Sequence, residues 1–300
     1  MPLLPPEFFG NWYTVYLDNK PRILQSYNES FVQQTSTETK LIQGDIGSHV
    51  ADIGPGHHTL SLSSPILIID PVDAFYDVFD LVLDNLKLFA QNPYDYNQIA
   101  NSSYVLDNAS IQVSPEDSSV TCSLESWQAF NKEGVNYNTF NPEINFIARK
   151  AKYYDIQIGM FGQNYLISNL SLSIKVNFSK SFYVPGSNLF KGNQTPLYAV
   201  HSYSVSGEVT LVITPGQYDQ LKLYNAQTPG IFTATKNNVY LKILTRNNAN
   251  DYDRTINLGD FMFLPSVNLQ LNAGSPISAR VSFATLFRRS SAITIQWWLV

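Results

Sequence analysis

The sequence predicts a mainly β protein made of antiparallel strands, and three observations support this prediction. Apolar and polar residues alternate along most segments, as they do in strands with one buried face. Turn-forming pairs such as Pro-Gly and Gly-Asn separate these segments. The chain has 300 residues, which is enough for two domains. The predicted strands are residues 58–62, 109–113, 120–124, 166–178, 203–213, 239–244, 267–271 and 277–286.

One segment departs from this alternation and predicts an α-helix at residues 70–91. Asp70 is the expected N-cap, and Pro71 follows at the first helical position. The aspartates of this helix are expected on a solvated outer face. A shorter helix is predicted at residues 217–224. The long helix places apolar residues 3.6 positions apart, at Phe75, Val78, Phe79, Val82, Leu86 and Phe89.

The predicted organisation is an N-terminal arm followed by two β domains. The arm covers residues 1–45, the first β domain with its helix covers 46–135, and the second β domain covers 142–300. We expect each domain to be an antiparallel sandwich or barrel. The polar segment 131–141 lies between the two domains and reads as their linker.

A weak internal repeat relates the two predicted domains. Residues 104–126 and 263–285 both contain an apolar pair, a polar corner, a strand, a turn with proline and a second alternating strand. Each stretch lies downstream of a strand pair and a helix. A duplicated domain and a chance similarity between hairpins both fit this layout. With a one-residue slip in the turn, Ile111, Val113, Cys122 and Leu124 correspond to Leu269, Leu271, Val281 and Phe283.

Composition favours a protein with large protein–protein contacts over one that binds nucleic acid. Charged residues make up 14% of the chain, about half the usual fraction, and aromatic residues make up 13%. Neutral polar surfaces lose water at lower cost than charged ones. The net charge is −5 and the basic pairs are isolated, so no basic stripe for DNA is predicted.

The sequence carries no recognisable catalytic or metal-binding motif, and we expect no enzyme activity, cofactor or metal. A nucleophile elbow, a zinc-protease motif and a phosphate-binding loop are all absent. His57 and His58 are adjacent on a predicted strand and should face opposite sides. Cys122 is the single cysteine and is expected to be buried on the face of Val120 and Leu124. We also predict no secretion signal and no membrane span, hence folding and assembly in a reducing cytoplasm.

Three runs in the second half carry a family resemblance over residues 164–287. They are LISNLSLSIKVNFSKSFYVPGSNLF, PLYAVHSYSVSGEVTLVITPGQYDQLKLY and INLGDFMFLPSVNLQLNAGSPISARVSFATLF. This pattern resembles the tube domain of bacteriophage tails. That family has a strand leading into a long extended loop, an SGEVTL-like strand, a helix and a closing strand pair. The matching features here are Ser206-Gly207-Glu208, the helix start at 217–221 and the turn at 273–275.

The resemblance implies a structural virion protein located in the tail. Tube subunits form homo-oligomeric rings, and stacked rings make the channel for DNA ejection. DNA would pass without specific binding, and the neighbours would be other tail proteins such as sheath or baseplate. Six chains would close a ring if each contributes one tube domain. Three chains would close a pseudo-sixfold ring if both halves are tube domains, as in baseplate hubs.

Two hydrophobic segments are the predicted inter-subunit contacts. The first is the N-terminal arm and the second is the predicted loop between Phe178 and Pro196. Exposed loops with aromatic anchors often dock on a partner subunit. The alternative for the loop is that it folds onto its own domain. The candidate contact residues are Phe8, Phe9, Trp12, Phe182, Tyr183, Leu189 and Phe190.

Other function classes share some of these features. A baseplate hub, a tube initiator or a β-sandwich capsid subunit would have the same low charge and β content. A carbohydrate-binding or hydrolytic β-sandwich could use exposed tryptophans as sugar platforms. Ring particles would favour a tube protein, whereas glycan binding would favour the last class.

Overall fold

The computed structural model describes residues 15–17, 20–39, 48–70, 77–83, 105–126, 147–183, 195–227, 239–243, 254–259 and 261–286. The described chain is mainly β, with one large antiparallel sheet, as the alternation predicts. Each predicted strand falls on an observed strand and extends at most one residue beyond it, although several observed strands are longer than predicted.

Eight strands form the backbone of the main sheet, in the spatial order β3-β4-β7-β6-β10-β11-β15-β14. Every neighbouring pair is antiparallel. The strands are β3 (Ser26–Thr39), β4 (Ser48–Pro65), β6 (Val105–Val113), β7 (Ser118–Ser126), β10 (Gln163–Tyr183), β11 (Thr195–Val212), β14 (Phe261–Gln270) and β15 (Ser278–Leu286).

A three-stranded branch leaves this sheet at β10. It contains β9 (Ile156–Met160), β12 (Val239–Ile243) and β13 (Arg254–Gly259), and β9 pairs with the first residues of β10. The pairing of β10 with β11 shifts at Ser168, between the part of β10 that pairs with β9 and the part that pairs with β6. Such a bulge bends a strand and allows it to belong to two sheets.

The free end of the branch returns to the main sheet at β15. The Thr285 hydroxyl, which is buried, donates a hydrogen bond to the Leu258 carbonyl of β13. Gly259 ends β13 with φ 148°, a backbone conformation that favours glycine, and β14 begins two residues later. Strands β9 to β15 therefore curl around a shared core as a barrel-like unit.

Four shorter strands lie outside the main sheet. One hairpin is formed by β1 (Val15–Leu17) and β2 (Lys20–Arg22). A separate pair is formed by β5 (Leu67–Asp70) and β8 (Ile147–Lys150). A short 3-10 turn at Tyr153–Asp155 connects β8 to β9.

The predicted helix at 70–91 is helical at residues 79–83, which we call α1. The rest of the predicted helix is either β5, a bend or outside the described residues. Val78, Phe79 and Val82 of the predicted apolar stripe are buried. Asp70 as the N-cap was wrong, because Asp70 ends β5 and pairs with Ile147. Asp77 lies in the bend before α1, and its carboxylate accepts the Phe79 backbone N–H at 3.1 Å, as in an Asx turn that leads into the helix.

The second helix, α2 (Pro215–Gln227), confirms and extends the one predicted at 217–224. A capping box starts it. The Thr214 hydroxyl accepts the Gln217 backbone N–H at 3.4 Å, and the Gln217 amide oxygen accepts the Thr214 N–H at 2.9 Å. Pro215 occupies the first helical position, where its missing N–H costs nothing. The pattern Thr-Pro-Gly-Gln was thus a helix start and not only a turn.

Asp77, just before α1, and Asp80, within it, are buried, which corrects their predicted solvated position. Asp77 accepts hydrogen bonds from the Arg254 guanidinium at 2.8 and 2.9 Å, and from the Leu67 backbone N–H at 2.8 Å. Asp80 accepts one from Arg22 at 2.5 Å, and all four charged residues are at least nine-tenths buried. Buried carboxylates need such partners because an unpaired charge in the interior is costly.

Strand pairing extends beyond two sequence-predicted boundaries. β3 lies in the segment predicted as an N-terminal arm, and it is an end strand of the main sheet. β10 continues to Tyr183 and β11 starts at Thr195, so the predicted loop at 178–196 is shorter than expected. Beyond Phe178 the side chains no longer alternate clearly, but backbone pairing between β10 and β11 continues to Tyr183. Strands of both predicted domains share one sheet through β6 and β10.

Cys122 is buried beside Val120 and Leu124, as predicted. Burial, with a smaller effect of the Asp80 charge, raises the pKa of its thiol to about 12. This cysteine therefore stays a neutral apolar side chain. Within the described ranges, no helix has the length and apolar character needed to cross a membrane.

Candidate assembly surface

The main sheet consists of two four-stranded units with the same connectivity. In each unit a long hairpin is followed by a helix and then by a second hairpin, whose last strand pairs with the last strand of the long hairpin. The spatial order is β3-β4-β7-β6 in the first unit and β10-β11-β15-β14 in the second. The layout noted in the sequence is thus reproduced in three dimensions.

The two units also correspond in side-chain packing at one cross-strand pair. Leu60 pairs with Leu124 in the first unit, and Gly207 pairs with Phe283 at the corresponding place in the second. A Cβ atom added at Gly207 would lie 3.3 Å from the Phe283 ring. The glycine therefore makes room for the Phe283 ring, so the two units fill this corresponding place with different side chains.

One face of the main sheet is mainly polar, with hydroxyl and amide side chains outnumbering charged ones. Alternation places most apolar side chains of the eight strands on the other face, which holds the core, whereas Val32, Leu166 and Val212 lie on the polar face. The described charged residues on the polar face are Glu125, Lys175, Glu208 and Arg280, and Glu208 forms an ion pair with Arg280. Its neutral members include Ser61, Ser63, Ser110, Gln112, Thr121, Ser123, Ser171, Ser173, Ser204, Ser206, Thr210, Ser266, Asn268, Gln270 and Ser282.

The two units join edge to edge at a seam between β6 and β10. Six residues of each strand pair there, from Leu170 opposite Val113 to Lys175 opposite Asn108. On the polar face the Gln112 amide donates a hydrogen bond to the Ser171 hydroxyl at 3.0 Å. On the core face Leu170, Leu172 and Ile174 are buried against the partner strand. The seam combines backbone pairing, one polar contact and apolar burial.

The outer edge of the first unit is β3. Among the described strands, β4 is the one that pairs with β3, so its other edge carries no described partner strand. Tyr27 pairs with the buried Leu62 and so lies on the core face, yet it is 43% exposed. Its hydroxyl donates to the Glu29 carboxylate at 2.7 Å. The core face is therefore less covered at this edge than at the seam.

The outer edge of the second unit is β14. Of the strands that the structure describes, β15 pairs with β14. Val267 and Leu269 lie on the core face and are partly exposed, although they pack against the core. Leu271, the next residue on that face, is 60% exposed. Both ends of the sheet thus present a strand edge beside partly uncovered apolar side chains, a feature that favours pairing with another strand.

The contact residues predicted from sequence lie mostly outside the described residues. Phe8, Phe9, Trp12, Leu189 and Phe190 are not in the described ranges. Phe182 and Tyr183 are the last residues of β10 and pair with Pro196 and Thr195. The edges β3 and β14 were missed as candidate contacts. The internal repeat was the feature of the sequence that could have indicated them. If the two units are equivalent, β14 corresponds to β6 and β3 corresponds to β10, the two strands that pair at the seam.

One of the two basic pairs is neutralised locally. Arg149 makes two hydrogen bonds to the Asp155 carboxylate at 2.6 and 2.8 Å, and this contact raises the pKa of Arg149 above its usual value. Lys150 forms an ion pair with Asp117, and the hydrogen bond from Lys150 lowers the Asp117 pKa. The second pair, Arg288 and Arg289, lies outside the described residues.

In the part of the chain that the structure describes, no cluster of three His, Cys, Asp or Glu side chains could hold a metal ion. The chain was also compared with known proteins. No protein-family model matches it, and no curated protein matches its sequence.

Proposed function

We propose that this chain is a structural virion protein, a tube-type subunit of a bacteriophage tail. In this proposal, copies of the chain form rings that stack into the channel for DNA ejection. The observation that carries the proposal is the pair of equivalent four-stranded units joined edge to edge in one sheet. A sheet built from repeated units with open ends can continue from one copy to the next and close on itself.

Three copies in each ring would supply enough strands for a channel that accommodates DNA. One copy supplies eight strands to the wall, and an eight-stranded barrel leaves an interior just filled by side chains. Three copies give twenty-four strands. At a spacing of about 4.8 Å and a tilt of about 40°, the barrel would measure roughly 48 Å across between backbones. Such a channel is wider than a DNA duplex with its water.

The polar face suits the lumen of this channel. Its side chains are mainly hydroxyls and amides, which hold water without attracting phosphates strongly. The charged residues on this face are of both signs, and Glu208 and Arg280 neutralise each other. DNA would therefore slide past this surface without being retained. The opposite apolar face would be covered by the helices and by β9, β12 and β13.

Negative-stain microscopy of the purified protein tests this proposal. We expect ring particles with threefold symmetry and a central hole, and with a pseudo-sixfold outline. Rings with six copies would retain the tube function and contradict the copy number. A protein that remains monomeric at high concentration would contradict the assembly function. Closed shells without a channel would instead support a capsid subunit.

The proposal places the protein in the tail of the virion after assembly in the host cytoplasm. Other tail proteins, such as sheath or baseplate, would contact the outer surface or the ring faces. Immunogold labelling of the virus particles would locate the protein. Label along the tail is expected, and label on the head would contradict this location.

A further inference from the structure

We propose that β14 of one copy pairs with β3 of the next copy in the same register that joins β6 to β10 inside the chain. The inference rests on the proposed ring assembly. It adds the strands, the register and the side-chain contacts of the joint. The partner at both edges is therefore a second copy of this chain.

The equivalence of the two units fixes which residues of β3 correspond to residues of β10. Leu62 pairs with Cys122 in the first unit, and Val209 pairs with Val281 in the second. Tyr27 pairs with Leu62, and Leu170 pairs with Val209. Tyr27 therefore occupies the place of Leu170. Its neighbour Asn28 occupies the place of Ser171.

The same comparison relates β14 to β6. Cys122 pairs with Ala109, and Val281 pairs with Val267, so Val267 occupies the place of Ala109. β14 runs antiparallel to β15, as β6 runs antiparallel to β7. Counting along them, Gln270 matches Gln112, and Leu271 matches Val113. The glutamine is thus present at both equivalent positions.

Transfer of the internal register predicts two contacts between copies. Inside the chain Leu170 lies opposite Val113, and Ser171 lies opposite Gln112. Between copies, Tyr27 would lie opposite Leu271, and Asn28 would lie opposite Gln270.

The chemistry of these pairs fits the joint. Tyr27 and Leu271 are 43% and 60% exposed, and they would cover each other on the core face. On the polar face, Gln270 could donate to Asn28 as Gln112 donates to the Ser171 hydroxyl at 3.0 Å. At these two positions the register pairs apolar with apolar and polar with polar side chains, whereas the next core-face position would place the exposed Glu29 opposite Leu269. A shift by one residue would place each on the wrong face.

Paired cysteines test the register in the full chain. The variant Asn28→Cys with Gln270→Cys places thiols at directly opposed positions, where Cβ atoms lie about 4.5–5.5 Å apart. Oxidation or a short thiol cross-linker should then link neighbouring copies covalently. The products should form a series of oligomers whose largest member contains all the copies of one ring. Within one copy these positions are seven strand spacings apart, about 34 Å, so an intramolecular link cannot form. Cys122 is buried and does not compete.

The control variant carries Asn28→Cys with Asn268→Cys, which is out of register by two residues. We expect it to cross-link at least about tenfold more slowly, because diagonal neighbours lie about 7–8 Å apart. Faster linking of the control would overturn the register while leaving the ring intact. Ring particles in which neither pair links would overturn edge pairing alone. Absence of rings together with absence of cross-links would contradict both this inference and the proposed function.

Opposite charges introduced at the two contact positions test the apolar contact between Tyr27 and Leu271 without cysteine substitutions. Leu271→Lys should raise the concentration for half-assembly about tenfold or more, because the lysine would meet Tyr27. Adding Tyr27→Glu should recover at least part of that loss through a new ion pair. Leu166→Lys is the matched control, since Leu166 is 46% exposed but lies on β10, away from both edges. Equal effects of the two lysine variants would contradict the proposed contact.

Discussion

At the scale of single residues, the buried carboxylates of Asp77 and Asp80 tie separate parts of the chain together. Asp77 binds Arg254, which lies 177 positions later, and Asp80 binds Arg22, which lies 58 positions earlier. Arg254 also lies 4.9 Å from the centre of the Phe79 ring. These contacts hold α1 between the N-terminal strands and β13. They orient the first unit relative to the branch of the second.

Asp77→Ala should lower the free energy of unfolding by about 3–5 kcal/mol, because it leaves Arg254 buried without its counter-charge. Chemical denaturation measures this change. The control is Asp117→Ala, which removes an ion pair with Lys150 at a position that is 55% exposed. It should cost about 0–1 kcal/mol. Similar losses for the two variants would contradict a stabilising role for the buried cluster.

Cys122 should resist thiol reagents at pH 8 in the folded protein, because burial raises its pKa to about 12. The same shift affects stability. Folding favours the neutral thiol, so this contribution is present below the ordinary pKa of 9.0 and is lost as the pH rises towards 12. A chromogenic disulfide reagent measures the labelling rate, with the denatured chain as the fast reference. Rapid labelling of the native protein would contradict the burial.

At the scale of elements, the two units pack by the same plan with different side chains. Gly207 lies where β10, β11 and β15 approach closely, since a Cβ atom there would lie 2.5 Å from the Ser171 carbonyl oxygen and 3.3 Å from the Phe283 ring. The close approach involves backbone, which cannot rotate away. A side chain at this position would therefore push β11 from β10.

Gly207→Ala should destabilise the protein by about 1–3 kcal/mol, as overpacking in a core does. Gly216→Ala is the matched control, because Gly216 lies in the first turn of α2 and a Cβ atom there meets nothing within 4 Å. It should be neutral or stabilising by up to about 1 kcal/mol. Thermal unfolding compares the two. A larger loss for Gly216→Ala would overturn this packing argument.

At the scale of the whole molecule, charge decides how the polar face treats DNA. The chain has a net charge of −5, and the described polar face holds Lys175 and an Arg280 that is paired with Glu208. Retention of DNA requires several phosphate contacts from a basic surface. This face provides a wet, weakly charged wall instead.

The assembled protein should not retard duplex DNA in a gel at about 50 mM salt, where phosphate contacts are strong. A matched variant with Ser173→Lys and Ser206→Lys adds positive charge beside Lys175 on the same face. It should bind DNA, and the binding should weaken steeply as salt is raised. Retention of DNA by the unmodified protein would contradict a passive lumen.

Much of the strand content followed from the sequence because alternation is a local property of the chain. The strands from β4 to β15 that were predicted from it needed no knowledge of their partners. The burial of Cys122 likewise followed from neighbouring residues, whereas the capped start of α2 at Thr214 was interpreted as a turn. The repeat was visible too, since Ile111, Cys122 and their counterparts occupy equivalent strand positions.

The sequence by itself thus determined the eight strands with clear alternation, their apolar and polar faces, and the repeated order of elements. Only the tertiary structure decided that β6 pairs with β10, that β3 and β14 form the ends of the sheet, and that Asp77 and Asp80 are buried. The physical reason is separation along the chain. Strand pairing and charge burial depend on partners such as Arg254 that lie far away in sequence, whereas alternation depends on the next residue alone.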